Sequence, residues 1–374
     1  MKTKKSDILT CVLFCGFLAT ALVLFLVLPR QDFSEKEKRY LAEAPKLTWQ
    51  ELASGAFGEE VETYLADHVP GRDFFVGLSA YYDLLSNRQV TKEVYRAEGG
   101  RLVEPPIRWN PAAVQTNMDA INRFAEAAGR PVDLMLVPSA GFCLEDTIEG
   151  LADPYTDSQM IRDIYAMAGE KVDTVDLIAA FTEVQDPEAL FYRTDHHWTS
   201  LGAYAAYQTY MELLDRDYLT RDAFTVESFD GFYGSTYSRS GLWLTKGESV
   251  ELWNAGGSFR VTNGESETVS NDLFYRQRLE ELDKYTVYLD GNHSLVRIEN
   301  TEAQGKGKLL VIRDSYANCL GTFLAHSYES VVLVDLRYYK NPVSELLAAE
   351  EFTDVLICYS LGNFMTDTNM IFLR

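Results

Sequence analysis

The chain of 374 residues carries 34 basic and 56 acidic side chains, which gives a formal net charge of −22 at pH 7. That excess of acidic groups excludes the basic face with which proteins bind nucleic acid, so no nucleic-acid partner is expected. A hydrophobic fraction of 47% and an aromatic fraction of 13% exclude an intrinsically disordered chain. The length predicts about two domains, or one large domain with an appendage.

An uncharged apolar stretch, residues 8–28, follows three lysines near the start of the chain. At about 1.5 Å per residue its length matches the roughly 30 Å hydrocarbon core, which predicts a single transmembrane helix in the lipid bilayer. The lysines predict that residues 1–29 form a cytoplasmic start and an anchor, and that the rest of the chain is extracytoplasmic. Because residues 26–30 offer no pair of small residues for cleavage, we expect an uncleaved anchor in the cell membrane.

Residues 30–72 are polar and predict a membrane-proximal neck with short helices near 49–52 and 61–68. A stronger helical pattern covers residues 73–85, where apolar side chains recur at helical spacing. This pattern predicts a helix with one apolar face, formed by Phe74, Leu78, Tyr81, Tyr82 and Leu85.

Residues 73–374 predict one α/β domain, because segments typical of strands alternate with segments typical of helices. The expected sheet is mostly parallel and has flanking helices. Residues 222–290 break this alternation, being rich in Gly, Ser, Thr and aromatic residues, and predict a β-rich insertion. The expected strands are 131–137, 171–177, 308–312, 331–334 and 354–359, and the expected helices are 111–128, 159–168, 200–214, 316–326 and 342–350.

The sequence Asp195-His196-His197-Trp198 stands directly before a predicted helix and holds two of the five histidines of the chain. In an extended segment residues i and i+2 point to one side, so Asp195 is placed to accept the Nδ1–H of His197. That contact would fix the tautomer and leave Nε2 of His197 as a general base. Neighbouring histidines point to opposite faces of a strand, which disfavours a shared metal ion, so no metal site is expected. His196 is expected to face the core or to line the pocket.

A base needs a nucleophile, and the predicted strand 308–312 ends in Arg313-Asp314-Ser315-Tyr316. Ser315 falls at the carboxyl end of that strand, where open α/β sheets bind their ligands. The helix that follows offers backbone N–H groups for a developing oxyanion. The alternative is that Asp314 or Ser315 only caps this helix. The Asp-x-His segment elsewhere in the chain favours a nucleophilic Ser315.

Together, Asp195-His196-His197-Trp198 and Arg313-Asp314-Ser315-Tyr316 resemble the bacterial DHHW protein family. That family is similar to the SGNH-hydrolase-like domain of alginate O-acetyltransferases. The resemblance implies a circularly permuted SGNH-hydrolase-like α/β fold, because the serine follows the Asp and His in the chain instead of preceding them. It also implies a catalytic triad of Ser315, His197 and Asp195 that needs no cofactor.

The resemblance leaves the oxyanion hole open between two loops. Asn363 is one candidate, because Ser360–Asn363 follows the third strand after the permutation, where the family places a side-chain amide donor. Gly291 and Asn292 form the second candidate loop, whose alternative interpretation is a tight turn with glycine at positive φ.

Four further side chains are candidates for lining the substrate pocket. Arg313 replaces the glycine of the serine block, and we expect it either to restrict access to the serine or to bind an anionic substrate. Arg337 suits bidentate binding of a sugar carboxylate, or else forms an ordinary surface ion pair. Tyr338 and His196 complete this group.

The sequence thus predicts a membrane-anchored, extracytoplasmic serine O-acetyltransferase or acetylesterase that acts on a cell-envelope polysaccharide. Transfer of the acyl group to a sugar hydroxyl and transfer to water both stay open. A membrane protein is the expected acyl donor, since no acetyl-CoA pool is expected outside the cell. The alternative function is a non-catalytic glycan-binding or assembly module with an SGNH-like cleft, and a third hypothesis is metal-dependent hydrolysis at the histidine pair.

Overall fold

The computed structural model describes residues 5–86, 88, 90–91, 93–148, 151, 153–264 and 269–374. The described residues divide into two compact units, one within 1–92 and 238–244, the other within 93–237 and 245–374. The helix predicted at 73–85 lies in the first unit, whereas the sequence analysis assigned it to the α/β domain.

The first unit is mostly helical. Among the described residues, its helix α1 (Lys5–Val27) is the one helix long and apolar enough to cross a membrane. Gly55, at a φ of 84°, ends one neck helix and begins the next, a conformation that glycine adopts without steric cost. The remaining elements are β1 (Phe33–Ser34), β2 (Arg39–Tyr40), α2 (Trp49–Ser54), α3 (Ala56–His68), α4 (Arg72–Leu85) and β3 (Val90–Thr91).

Partly buried ion pairs connect the β1–β2 hairpin to α3 and α4. Arg39 Nη1 donates to the Asp67 carboxylate at 2.9 Å, and Arg72 Nη1 lies 2.7 Å from Glu37. The hydrogen bond from Arg39 lowers the pKa of Asp67 to about 2. The neck is therefore a folded unit rather than an extended linker.

From residue 93 onward, strands and helices alternate largely as the sequence predicts, and α5 begins after Asn110, whose side chain caps it. The elements are β4 (Val94–Arg96), β5 (Leu102–Val103), α5 (Pro111–Ala128), β6 (Val132–Val137), α6 (Ala140–Cys143), α7 (Asp157–Tyr165), β7 (Val172–Val175), α8 (Leu177–Thr182), α9 (Ser200–Leu213), β8 (Thr225–Phe232), α10 (Ser235–Ser240), β9 (Glu248–Asn254), β10 (Phe259–Asn263), β11 (Val269–Ser270), β12 (Leu295–Asn300), β13 (Lys308–Arg313), α11 (Ala317–Leu324), β14 (Ser330–Val334), α12 (Val343–Ala349), β15 (Asp354–Ser360) and α13 (Leu361–Phe364).

An eight-stranded sheet forms the centre of the second unit, with the strand order β11-β10-β12-β14-β13-β15-β6-β7. The five strands from β14 to β7 pair in parallel, and β12, β10 and β11 extend the sheet in antiparallel fashion. Counted from β13, the parallel strands have the order 2-1-3-4-5, which is typical of doubly wound α/β domains. The mixed, mostly parallel α/β sheet predicted from the sequence is confirmed.

Apolar side chains cover both faces of this sheet. Along β13 the side chains alternate between two buried clusters, with Leu309 and Val311 in one and Leu310 and Ile312 in the other. Burial on both faces explains why the strand has a continuous apolar sequence. The carboxyl ends of β13, β14 and β15 meet at one edge, which brings together the polar residues that follow each strand.

The segment predicted as a β-rich insertion, 222–290, contributes strands to two different sheets. β8 and β9 form a separate antiparallel pair, whereas β10 and β11 join the main sheet through β12. Strand β12 was not predicted from the sequence; in it, apolar Val296 and Ile298 alternate with charged residues. This alternation fits an antiparallel strand that is only partly covered.

Candidate active site

A bent loop before α9 brings Asp195 against His197. The carboxylate of Asp195 lies 2.5 Å from Nδ1 of His197 and also accepts the backbone N–H of His197 at 2.9 Å. Its second oxygen accepts the backbone N–H of Ser235 at 2.6 Å. Burial alone would raise the pKa of Asp195, but the imidazoles of His197 and His196 and these hydrogen bonds hold that pKa well below its ordinary value.

Contacts from the β-rich segment hold this loop in shape. The Glu248 carboxylate accepts the backbone N–H groups of Arg193 and Thr194, both at 2.7 Å, and the Thr194 hydroxyl at 2.5 Å. Gly234 lies so close to Asp195 that an added Cβ would stand 2.2 Å from the Asp195 Cβ. The position of Asp195 therefore depends on residues far along the chain.

Ser315 reaches the other nitrogen of His197. Its Oγ lies 2.8 Å from His197 Nε2, and both residues are buried. Ser315 occupies the turn between β13 and α11, where its carbonyl accepts the N–H of Asn318 at 3.2 Å. The three predicted triad residues thus form one continuous chain of hydrogen-bonding contacts from carboxylate to hydroxyl.

Aromatic rings pack around His197. The ring of Tyr285 stacks on it with centroids 3.8 Å apart and planes 8° from parallel. The ring of His196 lies on it as well, with a centroid distance of 3.9 Å. The prediction that the two histidines point to opposite faces is therefore wrong, because the segment is a bent loop and not an extended strand. His196 Nδ1 contacts the hydroxyl of Ser235.

The ligand atoms of Asp195, His196 and His197 lie within 4.8 Å of one another, so this group has the composition of a metal site. Both ring nitrogens of His197 are already in contact, one with Asp195 and one with Ser315. A cation bound by all three residues would have to replace one of these two contacts. The geometry thus favours the hydrogen-bonded arrangement of a triad over a metal centre.

Asp314 organises the turn that carries Ser315. One of its carboxylate oxygens accepts the N–H of Tyr316 at 3.0 Å, and the other accepts the N–H and hydroxyl of Ser360, each at 2.8 Å. The side-chain amide of Asn363 donates to the same oxygen at 2.8 Å. The structure therefore brings Asn363 to Asp314. Helix α11 has no side-chain cap, so the Asp314 carboxylate holds the turn and the end of β15 and does not cap the helix.

Arg313 is fully buried, and its guanidinium points toward Asn292 rather than toward solvent. Nη1 of Arg313 donates to Oδ1 of Asn292 at 2.9 Å, and the amide of Asn318 donates to the same oxygen at 3.0 Å. Burial lowers the pKa of Arg313, against the attraction of the Asp335 carboxylate 3.5 Å away. Because two donors bind its side-chain oxygen, the orientation of the Asn292 amide is defined. The residue itself is exposed to solvent.

The remaining candidates lie just before β12 or just after β14. Arg337 binds Asp335 with Nε–Oδ1 and Nη2–Oδ2 distances of 2.9 and 2.6 Å. This is an ion pair, but not an ordinary surface pair, because the Asp335 carboxylate is fully buried. Arg337 also lines a cavity of about 200 Å³ together with Asp314 and Asn363. Tyr338 is exposed beside the Arg337 guanidinium, and Gly291 has a φ of 80° in a tight turn.

Three residues that hold His197 or the loop around Asp195 were not predicted from the sequence: Tyr285, Ser235 and Glu248. Each lies in the β-rich segment, far from both motifs, and no local pattern marks it. Only the fold brings these residues to the bent loop.

The sequence model of the DHHW protein family matches residues 113–334, more than half of the chain. The chain therefore belongs to the DHHW family, which confirms the resemblance inferred from the two motifs. Comparison with curated proteins gives no significant match.

Two solved structures share the fold. A DHHW family protein from Eubacterium siraeum is 21% identical with a TM-score of 0.64, and the match covers 76% of this chain and 95% of that chain. Bacillus cereus PatB1, in a structure with a sulfonyl adduct, is also 21% identical with a TM-score of 0.64, over 74% of this chain and 97% of that chain.

Proposed function

We propose that the protein is a serine acyltransferase or esterase with a circularly permuted SGNH-hydrolase-like domain. The observation that carries the proposal is the contact chain Asp195–His197–Ser315, with distances of 2.5 and 2.8 Å. Nucleophilic acyl transfer uses a hydroxyl, an imidazole and a buried carboxylate that contact one another in this order. The permuted strand order, in which β13 follows β6 and β7 in the chain, supports the same assignment.

In the proposed reaction the Ser315 Oγ attacks the carbonyl carbon of an acyl ester while His197 Nε2 takes its proton. The tetrahedral intermediate collapses, the ester C–O bond breaks, and His197 returns the proton to the departing alcohol. A sugar hydroxyl or water then attacks the acyl-serine, with His197 again taking and returning a proton. Asp195 holds the imidazole tautomer and stabilises the imidazolium in both steps.

Asn292 is the proposed side-chain donor to the oxyanion. Its oxygen is held by Arg313 and Asn318, so its NH₂ group is the end of the amide that remains available. The amide of Asn363, by contrast, already donates to Asp314. We therefore assign Asn363 to positioning of the serine turn and Asn292 to stabilisation of developing charge.

The proposed setting is the outer face of the cell membrane, with α1 as a single-pass anchor and a cell-envelope polysaccharide as the acyl acceptor. The length and apolar composition of α1 support the anchor. An acyl-donor protein in the same membrane would supply the acetyl group.

The test measures p-nitrophenyl acetate turnover by the full chain in detergent, followed by acetyl transfer to oligosaccharides detected by mass spectrometry. We expect activity in the wild type and in the control Ser228→Ala, an exposed serine, and loss in Ser315→Ala and His197→Ala. Reaction of Ser315 with a sulfonyl fluoride would support the nucleophile. An inactive wild type that binds glycan equally well with Ser315→Ala would favour the binding-module alternative, and loss of turnover on chelation alone would favour a metal site.

A further inference from the structure

Helix α4 presents an apolar face to solvent. Phe74, Leu78, Tyr82 and Leu85, one stripe along the helix, are 66%, 54%, 66% and 87% exposed. An amphipathic helix of a globular protein normally turns this stripe toward the core. A continuous exposed face of this kind marks a surface that binds something apolar.

The opposite side of α4 is the side that packs within the first unit. Gly77 lies against the ring of Trp243, and a Cβ added at Gly77 would come within 2.8 Å of that ring. The indole N–H of Trp243 donates to the Asp73 carbonyl at 2.8 Å. The hydroxyl of Tyr81 accepts the N–H of Leu244 at 2.9 Å. These contacts fix α4 with its stripe of Phe74, Leu78, Tyr82 and Leu85 facing outward.

The neck helices touch the last turns of the apolar helix α1. The ring of Phe25 in α1 meets the ring of Tyr64 in α3 edge-to-face at 6.2 Å, and the Arg30 guanidinium lies 3.8 Å from the Phe25 centroid. A cavity of about 850 Å³ is lined both by the end of α1, at Leu28, and by the start of α4, at Arg72. The start of α4 is therefore level with the end of the segment that is long enough to span a bilayer.

We propose that the α4 stripe lies in the interfacial layer of the membrane that α1 crosses, with the bilayer itself as its partner. This inference rests on the anchoring part of the proposed function. Tyrosine and phenylalanine side chains suit the membrane–water interface, where an amphipathic helix inserts its apolar face by about 5–10 Å. The one cation of α4, Arg72, is paired with Glu37, so the attraction comes from apolar burial and not from anionic headgroups.

The experiment places a nitroxide spin label at single cysteines of the full chain in phosphatidylcholine nanodiscs. Cys11, Cys15 and Cys143 are first replaced by serine, and the buried Cys319 and Cys358 are kept. Leu78→Cys reports on the α4 stripe, Glu60→Cys on the exposed polar side of α3, and Phe17→Cys on the middle of α1. Circular dichroism and gel filtration verify that each variant is folded.

We expect the ratio of oxygen accessibility to nickel-chelate accessibility to be several-fold higher at residue 78 than at residue 60, and highest at residue 17. A lipid signal at residue 17 with an aqueous signal at residue 78 would overturn this inference and leave the anchor intact. An aqueous signal at residue 17 would overturn the anchor as well. Low accessibility to both reagents at residue 78 would show a protein partner, such as a second copy, and would also overturn the inference.

Discussion

Tyr285 stacks on His197 almost face to face, with 3.8 Å between the ring centroids. The hydroxyl of Tyr285 donates weakly to the carbonyl oxygens of Ser315 and Tyr316, at 3.4 and 3.3 Å. One side chain from the β-rich segment thus contacts both His197 and the turn that carries Ser315.

We therefore predict that the ring of Tyr285 matters more than its hydroxyl. Tyr285→Phe keeps the stack and is expected to retain most of the kcat for p-nitrophenyl acetate. Tyr285→Ala frees the imidazole, and an aromatic contact of about 1 kcal/mol together with lost positioning is expected to lower kcat by about 10- to 100-fold. Equal activity of the two variants would contradict a positioning role for the stack.

The substitution Asp195→Asn tests whether the Asp195 carboxylate fixes the tautomer of the His197 imidazole. The amide cannot hold Nδ1–H of His197 as the carboxylate does, so we expect kcat to fall by about 10³- to 10⁴-fold. Because the folded pKa of Asp195 is held well below its ordinary value, its carboxylate stays ionised at neutral pH. Its contribution to stability is lost only as the pH falls through that lowered pKa. Asp217→Asn, an exposed aspartate, is the control, and a similar loss there would point to an unspecific effect.

The side-chain amides of Asn292 and Asn363 are expected to behave differently. Asn292→Ala removes the proposed oxyanion donor and is expected to lower kcat by about 10²- to 10³-fold with little change in KM. Asn363→Ala removes one of three donors to one Asp314 oxygen, so we expect a smaller loss of kcat and a free energy of unfolding lower by about 1 kcal/mol. The opposite ranking of the two kcat values would reverse the assignment.

Gly234→Ala places a methyl group where the Asp195 side chain stands. Asp195 has to move, which separates it from His197, and a displacement of about 1 Å is expected to cost about 100-fold in kcat. Gly58→Ala meets no atom within 4 Å and serves as the control with unchanged activity. The chemical shift of the His197 Nδ1–H resonance, measured by NMR, would show whether the hydrogen bond to Asp195 is lost.

Asp133 gives a pH-dependent stability. It is buried in β6, accepts the Tyr210 hydroxyl at 2.9 Å, and burial raises its pKa to about 6. The folded state therefore binds a proton more tightly than the unfolded state, so stability is lost as the pH rises from about 4 through 6. Asp133→Asn keeps the acceptor and is expected to stabilise the fold at pH 7 by about 2–3 kcal/mol, with no gain near pH 4.

Urea denaturation of the full chain in detergent at pH 4 and pH 7, followed by tryptophan fluorescence, measures this difference. Asp217→Asn is again the control, because its exposed carboxyl has no such burial. An equal effect of Asp133→Asn at both pH values would contradict the raised pKa.

The sequence predicted the parallel strands because their apolar runs are buried on both faces, as in β13 and β15. It also predicted the pairing of His197 with Ser315 across 118 residues, because a base and a nucleophile need each other and the family pattern contains both. It could not predict the bent loop at Asp195, since local sequence favours an extended segment there. The contacts of Ser235, Glu248 and Tyr285 depend on how the β-rich segment folds back, and no periodicity encodes that.

The strand order also determines when the candidate active site can assemble during biosynthesis. β6 and β7 are synthesised early, yet β6 reaches the rest of the sheet only through β15, which ends at Ser360. A ribosome or export channel that has delivered residues 1–340 has therefore released Asp195, His197 and Ser315 without the strand that joins the two parts of the sheet. The contacts of Asp195, His197 and Ser315 should therefore form in their final geometry only after β15 has emerged.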